Sequence, residues 1–130
     1  MSTREAISTD AAPAAGGPYS QAIRAGDLVF TAGQLGIDPA TGALVGDDVA
    51  AQADRALTNL EAILRAAGSG LDRLVKVTVF LADIGDWPAV NEVYVRHIPE
   101  PFPARSAFAV KALPLGGRVE IEGVAVIGAG

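Results

Sequence analysis

The pattern of apolar positions predicts two helices. Apolar residues recur at steps of three and four from residue 49 to residue 67, with Asp47 or Asp48 as the N-cap and Gly68 as the stop. The polar face of this helix, which we expect to be solvated, comprises Gln52, Asp54, Arg55, Asn59 and Glu61. A second helix is expected to begin near Pro88. Its buried stripe comprises Trp87, Val90, Tyr94 and Ile98.

Runs of apolar or alternating residues predict five strands around these helices. The predicted strands cover residues 20–24, 28–32, 75–82, 102–110 and 118–127. The first two form a hairpin, and Gly33 beyond them indicates a bulge or a close approach of a ligand to the backbone. The order β-β-α-β-α-β-β predicts an α+β fold, a mixed sheet with two helices on one face. We expect one domain over residues 1–130, with residues 1–15 as a loosely held N-terminal arm.

The fourth predicted strand sets a lone arginine, Arg105, among apolar residues. Alternation along the strand places Arg105 on the face of Ala107, a small side chain that leaves room for a ligand. The planar guanidinium suits a carboxylate held through two hydrogen bonds. Glu120 and Glu122 share one face of the last strand, so we expect a carboxylate near Arg105. The alternative is an arginine that pairs with a structural glutamate or extends from the strand end into solvent.

Composition narrows the classes of function. Half of the 130 residues are hydrophobic and 19% are charged, which indicates that some apolar surface meets another subunit. A net charge of -5 disfavours nucleic acid as a partner. The chain has no cysteine and a single histidine, His97, which we expect at the surface, so no metal site is expected. We also expect no membrane span and no secretion signal, hence a soluble, cytoplasmic protein.

Eight short motifs in a fixed order carry a family resemblance. They are GPYSQA from Gly17, TAGQ from Thr31, DPATG from Asp38, VAAQ from Val49, VKVTVFLAD from Val75, VNEVY from Val90, FPARS from Phe102 and VEIEGVA from Val119. As a set they resemble the RidA/YjgF family of enamine/imine deaminases nearly end to end. The resemblance implies a chorismate-mutase-like α+β fold, no metal or organic cofactor, and a homotrimer with sites between subunits.

The resemblance also assigns roles to single residues. It implies that Arg105 binds the substrate carboxylate, that Gly33 offers a backbone contact, and that Tyr19 and Asn91 line the cleft. Glu120 would orient or deprotonate the attacking water, with Tyr19 as a positioning or proton-transfer group. Ala32 and Ala107 depart from the best-known branch of the family, which has Ser and Cys at these positions. They are expected to widen the substrate site and to make it less polar.

The function implied is hydrolysis of short 2-enamino or 2-imino acids to 2-keto acids and ammonia. Two alternatives stay open from the sequence. One is a trimer that binds a carboxylate ligand without catalysis. The other is an endoribonuclease or translation inhibitor, which an acidic chain with one histidine makes the weaker reading.

Overall fold

A mixed seven-stranded sheet carries both helices on one of its faces. The structure is a computed structural model that describes residues 3–128. The strands are β1 (Arg4–Ile7), β2 (Ala22–Ala25), β3 (Leu28–Thr31), β4 (Gln34–Leu35), β5 (Leu74–Leu81), β6 (Ala104–Ala109) and β7 (Val119–Val126). The helices are α1 (Val49–Ala66) and α2 (Trp87–His97). The predicted α+β class is confirmed, with β1 and β4 added to the predicted strands.

The sheet is ordered β1-β2-β3-β7-β5-β6, and β4 also pairs with β7. The parallel pair is β5 with β6, which follows because α2 forms the crossover between them. All other neighbouring pairs are antiparallel. Strand β7 therefore lies in the interior of the sheet. Its residues alternate between a buried face under α1 and a half-exposed face on the other side of the sheet.

The N-terminal segment is held more firmly than the expected loose arm. Strand β1 pairs with β2 at the sheet edge, and Ala12 is buried in the core. The buried Gln21 fixes the segment by accepting a hydrogen bond from the Thr9 N–H at 2.7 Å and donating to the Pro13 carbonyl at 2.8 Å. A single amide thus satisfies backbone groups of a segment that shows no periodicity. Residues 1 and 2 of the expected arm lie outside the described residues.

The polar face of α1 is not fully solvated, contrary to the prediction. Gln52 is 1% exposed, donates to the Gly46 carbonyl at 2.7 Å and accepts from the Arg118 N–H at 2.8 Å. Asn59 is fully buried and donates to the Ile37 carbonyl at 2.8 Å. Both amides connect α1 to loops that have no regular backbone partners. The helix termini agree with prediction, because Asp48 accepts from the Ala51 N–H at 2.9 Å.

A register shift in β5 changes one predicted core position. Alternation along the predicted strand 75–82 places Val75 on the face of Val77 and Val79, but Val75 is 44% exposed. The pairing with β7 shifts between Leu74 and Lys76, which is the geometry of a bulge. From Val77 onward the predicted alternation holds.

The face of the sheet that the helices leave uncovered is largely apolar. Large side chains exposed by 40–44% lie along its outer surface: Phe30, Phe108 and Val126. Phe108 stacks edge-on against Phe80 with ring centroids 5.4 Å apart. In the part of the chain that the structure describes, no helix is long and apolar enough to cross a bilayer.

Candidate functional site

Glu120 lies at one cavity of the structure, on the sheet face opposite the helices. This side chain projects from β7, where its backbone pairs with Leu35 of β4 and Phe80 of β5. The cavity, called here the glutamate cavity, has a volume of about 780 Å³. Its polar contributors are Tyr19, Glu120 and the backbone at Gly33. Its apolar wall comprises Leu35, Ile37, Pro39, Pro114 and Leu115.

A bulge between β3 and β4 opens this cavity. Phe30 pairs with Val124 and Gln34 with Ile121, so the register advances by one residue across positions 32 and 33. A Cβ atom at position 33 would overlap the Glu120 carboxyl group, so glycine there lets this side chain keep its position. The predicted bulge is thus present, and the group that approaches the glycine backbone is the Glu120 side chain.

Tyr19 and Ala32 lie at the same cavity. The tyrosine is 55% exposed, and its hydroxyl accepts a hydrogen bond from the Gly16 N–H at 3.2 Å. The Ala32 N–H donates to the Gln21 carbonyl at 2.8 Å, which fixes the backbone before the bulge. Four of the residues expected at the site, Tyr19, Ala32, Gly33 and Glu120, are therefore brought together within one chain.

Burial raises the pKa of Glu120 above that of a free glutamate, and the nearby Glu122 carboxylate raises it further. No hydrogen bond joins the Glu120 carboxylate to another of residues 3–128. A carboxylate with a raised pKa is a better proton acceptor than an ordinary one.

Arg105 lies at a second cavity, on the helix face of the sheet. This arginine cavity has a volume of about 440 Å³ and is lined by Asn91, Tyr94, Val95, Phe102, Pro103 and Arg105. Helix α2 places Asn91 and Tyr94 one turn apart on the side that meets β6. Phe102 is 50% exposed and Val95 is 58% exposed. The arginine therefore lies among apolar side chains that a partner could cover.

Three side chains of α2 hold the guanidinium. Its Nη1 donates to Asn91 Oδ1 at 2.8 Å. The Trp87 ring centroid lies 4.9 Å and the Tyr94 ring centroid 4.7 Å from the Arg105 Cζ, both within cation–π range. Among the described residues, Nε and Nη2 have no hydrogen-bond partner, so one edge of the fork is free to bind both oxygens of a carboxylate. Asn91 lines this cavity and also orients the arginine.

Tyr94 is the residue of this cavity that sequence reasoning assigned only to the core. It is buried, and its hydroxyl has no hydrogen-bond partner in the described part of the chain. Burial raises its pKa, and the positive charge of Arg105 partly opposes that rise. Tyr94 follows Asn91 by three residues on the predicted helix, which places the two side chains on the same side. This spacing was the sequence signal that could have assigned Tyr94 to the cavity.

Arg105 and Glu120 do not meet within one chain, which corrects the expectation of a carboxylate near Arg105. Strand β5 lies between their strands. Arg105 pairs with Val77 on the buried face, whereas Glu120 pairs with Phe80 on the outer face. The alternative of an Arg105 ion pair with Glu120 or Glu122 fails for the same reason. A single chain therefore presents two half-sites on opposite faces of its sheet.

Ala107, another candidate site residue, and His97, expected at the surface, both lie apart from the two cavities. Ala107 shares the Arg105 face, as predicted, but packs against the core beside Val79. His97 Nε2 lies 2.7 Å from Asp54 Oδ1 and connects α2 to α1. Among residues 3–128, no three His, Cys, Asp or Glu side chains are grouped so that they could hold a metal ion.

Comparisons with known proteins agree with this architecture. Residues 9–127 match the family described as Endoribonuclease L-PSP. The chain is 54% identical over 125 residues to the 2-iminobutanoate/2-iminopropanoate deaminase of Bos taurus, covering 96% of this chain and 91% of that protein. It is also 54% identical to the RutC family protein y4sK of Sinorhizobium fredii, covering 92% and 95%.

A solved structure gives the same result for the fold. The crystal structure of RidA from the Antarctic bacterium Psychrobacter superposes with a TM-score of 0.91 at 48% identity, covering 95% of this chain and 99% of that one. Matches of this identity and coverage in both sequence and structure show that the chain belongs to the RidA/YjgF family.

Proposed function

We propose that the protein is a deaminase that hydrolyses 2-enamino and 2-imino acids to 2-keto acids and ammonia. The observation that carries this proposal is the pair of half-sites. One is a guanidinium fixed in orientation with a free edge for a carboxylate. The other is a carboxylate with a raised pKa beside a cavity. The relatives named as iminobutanoate/iminopropanoate deaminases support the same substrate class.

The reaction needs few groups because the imine carbon is already an electrophile. Arg105 binds the carboxylate and draws electron density away from the adjacent C2. Glu120 accepts a proton from water as the water oxygen bonds to C2, and the C=N π electrons move to nitrogen. Protonated Glu120 returns this proton to the nitrogen, which gives a carbinolamine with a C2 hydroxyl and an amino group. The proton of that hydroxyl then passes through Glu120 to the amino group, the C–N bond breaks, and ammonia leaves as the C2 carbonyl forms. Tyr19, at the rim of the same cavity, helps to position the water or the departing nitrogen.

Completing the site requires a second copy of the chain. We infer a homotrimer in which the arginine cavity of one subunit faces the glutamate cavity of its neighbour. The uncovered apolar sheet face, with Phe30, Phe108 and Val126, supports association. Light scattering should give a mass near three times 13.2 kDa. The absence of cysteine is compatible with a reducing compartment, which supports a cytoplasmic location.

Mixing two inactive variants tests this composite site. An amino-acid oxidase generates imino acids, and their decay is followed with Arg105→Ala, with Glu120→Gln, and with both variants unfolded and refolded together. Each variant alone should have at most about 3% of the parent activity, which corresponds to a thirtyfold loss. Because random mixing in a closed ring gives about a quarter of the interfaces both native groups, about a quarter of the parent activity should return. A mixed sample as inactive as its components would overturn the shared site.

The imino-acid assay, together with measurements of ligand binding and RNA cleavage, separates the deaminase from the two rival functions. A trimer that binds carboxylates without catalysis would show ligand-induced thermal stabilisation but no faster decay of imino acids. An endoribonuclease would cleave single-stranded RNA in a manner that depends on residues of these cavities. The glutamate cavity offers one carboxylate and no basic side chain among the residues that line it, which favours the deaminase.

A further inference from the structure

One exposed leucine at the glutamate cavity is unexplained by folding. Leu115 is 66% exposed, so its side chain gains little from the core. Its backbone has φ 59° and ψ 18°, the left-handed region that leucine rarely adopts. A glycine or an asparagine would suit the backbone better, and a polar side chain would suit the exposure better. Strain of this kind in a residue that lines a cavity points to a role toward a ligand.

The surrounding loop holds Leu115 in place. The Gly117 N–H donates to the Pro114 carbonyl at 3.0 Å, closing the turn around Leu115. Gly117 also packs so tightly on the Leu35 side chain that a Cβ atom there would lie 2.8 Å from Leu35 Cδ2. Because Leu35 belongs to β4, which pairs with β7 at Glu120, the loop is fixed relative to the carboxylate.

We propose that Leu115 is a specificity-determining residue that binds the aliphatic side chain of the 2-imino acid. This inference rests on the proposed deaminase function. Carbon C2 of the substrate carries three groups: the carboxylate, the nitrogen and the side chain. With the carboxylate on Arg105 and C2 near Glu120, the side chain is the apolar group left for the apolar wall. Leu115 belongs to that wall together with Ile37 and Pro39, and its high exposure places it at the solvent side.

The proposal predicts a graded preference. A leucine-derived imino acid reaches the outer wall, whereas an alanine-derived one, with a single methyl group, contacts only its inner part. Contact with Leu115 should raise kcat/KM for the leucine-derived imino acid about fivefold relative to the alanine-derived one. A factor of this size corresponds to the burial of between one and two methylene groups. Leu115 is therefore expected to set the ratio between substrates and to leave turnover of the smallest substrate nearly unchanged.

Two variants of Leu115 separate selectivity from stability. Leu115→Ala and Leu115→Gly should each lower the ratio of kcat/KM for leucine-derived over alanine-derived imino acid by about fivefold. Leu115→Gly should also have a higher Tm than Leu115→Ala, because glycine relieves the left-handed strain that alanine keeps. The matched control is Ile84→Ala, an exposed aliphatic residue that lines neither cavity, which should leave the ratio unchanged.

Each other outcome overturns the inference. Active variants with an unchanged ratio would show that Leu115 does not contact the substrate, with the proposed function intact. A change in native mass on light scattering would assign the leucine to subunit contact instead. A parent protein inactive on both substrates would overturn the proposed function and this inference together.

Discussion

The two cavities hold their charged groups in opposite ways. The guanidinium of Arg105 is fixed by one hydrogen bond and two aromatic rings. The carboxylate of Glu120 makes no hydrogen bond to residues 3–128 and is partly buried, which raises its pKa. A group that binds a substrate must keep its orientation, whereas a group that moves protons must change its protonation state easily. This difference supports the proposed roles, in which the arginine cavity binds the substrate and the glutamate cavity carries out the proton transfer.

The largest expected loss of turnover comes from replacing Glu120, the proton acceptor of the glutamate cavity. Glu120→Gln keeps the shape of the side chain but cannot accept a proton, so kcat should fall by about 10²- to 10⁴-fold. KM should change little, because the arginine cavity is intact. Steady-state kinetics on enzymatically generated imino acid give both values. Glu122→Gln is the matched control and should keep near-parental kcat at neutral pH. Equal turnover by Glu120→Gln and the parent would make Glu120 a structural residue.

Replacing Arg105 should lower activity less than replacing Glu120 does. A positive charge at position 105 should not be enough to keep the activity. Arg105→Lys keeps the positive charge but loses the planar fork and its stacking, so it should fail nearly as badly as Arg105→Ala. We expect kcat/KM to fall by about thirtyfold to thousandfold, or about 2 to 4 kcal/mol of transition-state binding. Tm and native mass should be retained. An Arg105→Lys variant with parental kcat/KM would show that the cation acts as a simple point charge.

The sequence predicted both helices and five of the seven strands, but not how the candidate site residues are divided between the two faces of the sheet. Helical and strand periods depend on local spacing, so both helices and the Arg105 strand were found from the sequence alone. The position of β7 between β3 and β5 depends on pairings across the whole chain. Alternation along a strand says which residues share a face but not which face of the sheet that is. The expected Arg105–Glu120 proximity failed on this point.

Two other predictions were wrong: the loosely held N-terminal arm and the solvated polar face of α1. Both errors involve buried amide side chains whose hydrogen-bond partners are distant in the sequence. Gln21, Gln52 and Asn59 are buried because their amides satisfy backbone groups of irregular segments. Polarity in an amphipathic pattern predicts a solvated face and carries no information about such partners. Gly33, in contrast, was correctly linked to a bulge, because the residue type itself reports the local need for space.

A smaller effect should follow from loosening Arg105 without removing it. Asn91→Ala deletes the hydrogen bond to Nη1, and Trp87→Leu deletes one of the two rings. Each should raise KM by about three- to thirtyfold with little change in kcat, the range of one charge-assisted hydrogen bond or one cation–π contact. Trp87→Phe keeps an aromatic face and should restore most of the affinity. If Trp87→Leu and Trp87→Phe behave alike, the ring only packs and does not orient the arginine.

The smallest expected effect is a pH shift produced by Glu122. Activity requires ionised Glu120, so it should rise with pH through the raised pKa of that residue. Glu122→Gln removes the smaller cause of the raised value and leaves the larger one, burial. The acid limb of kcat/KM should therefore move to lower pH. The folded protein prefers protonated Glu120, so its contribution to stability falls as pH rises from the free glutamate pKa to the raised one. Glu122→Gln should reduce that loss and raise Tm slightly at neutral pH. An acid limb at the parental pH in Glu122→Gln would mean that the two carboxylates do not interact, and that burial alone makes the glutamate cavity the reactive half.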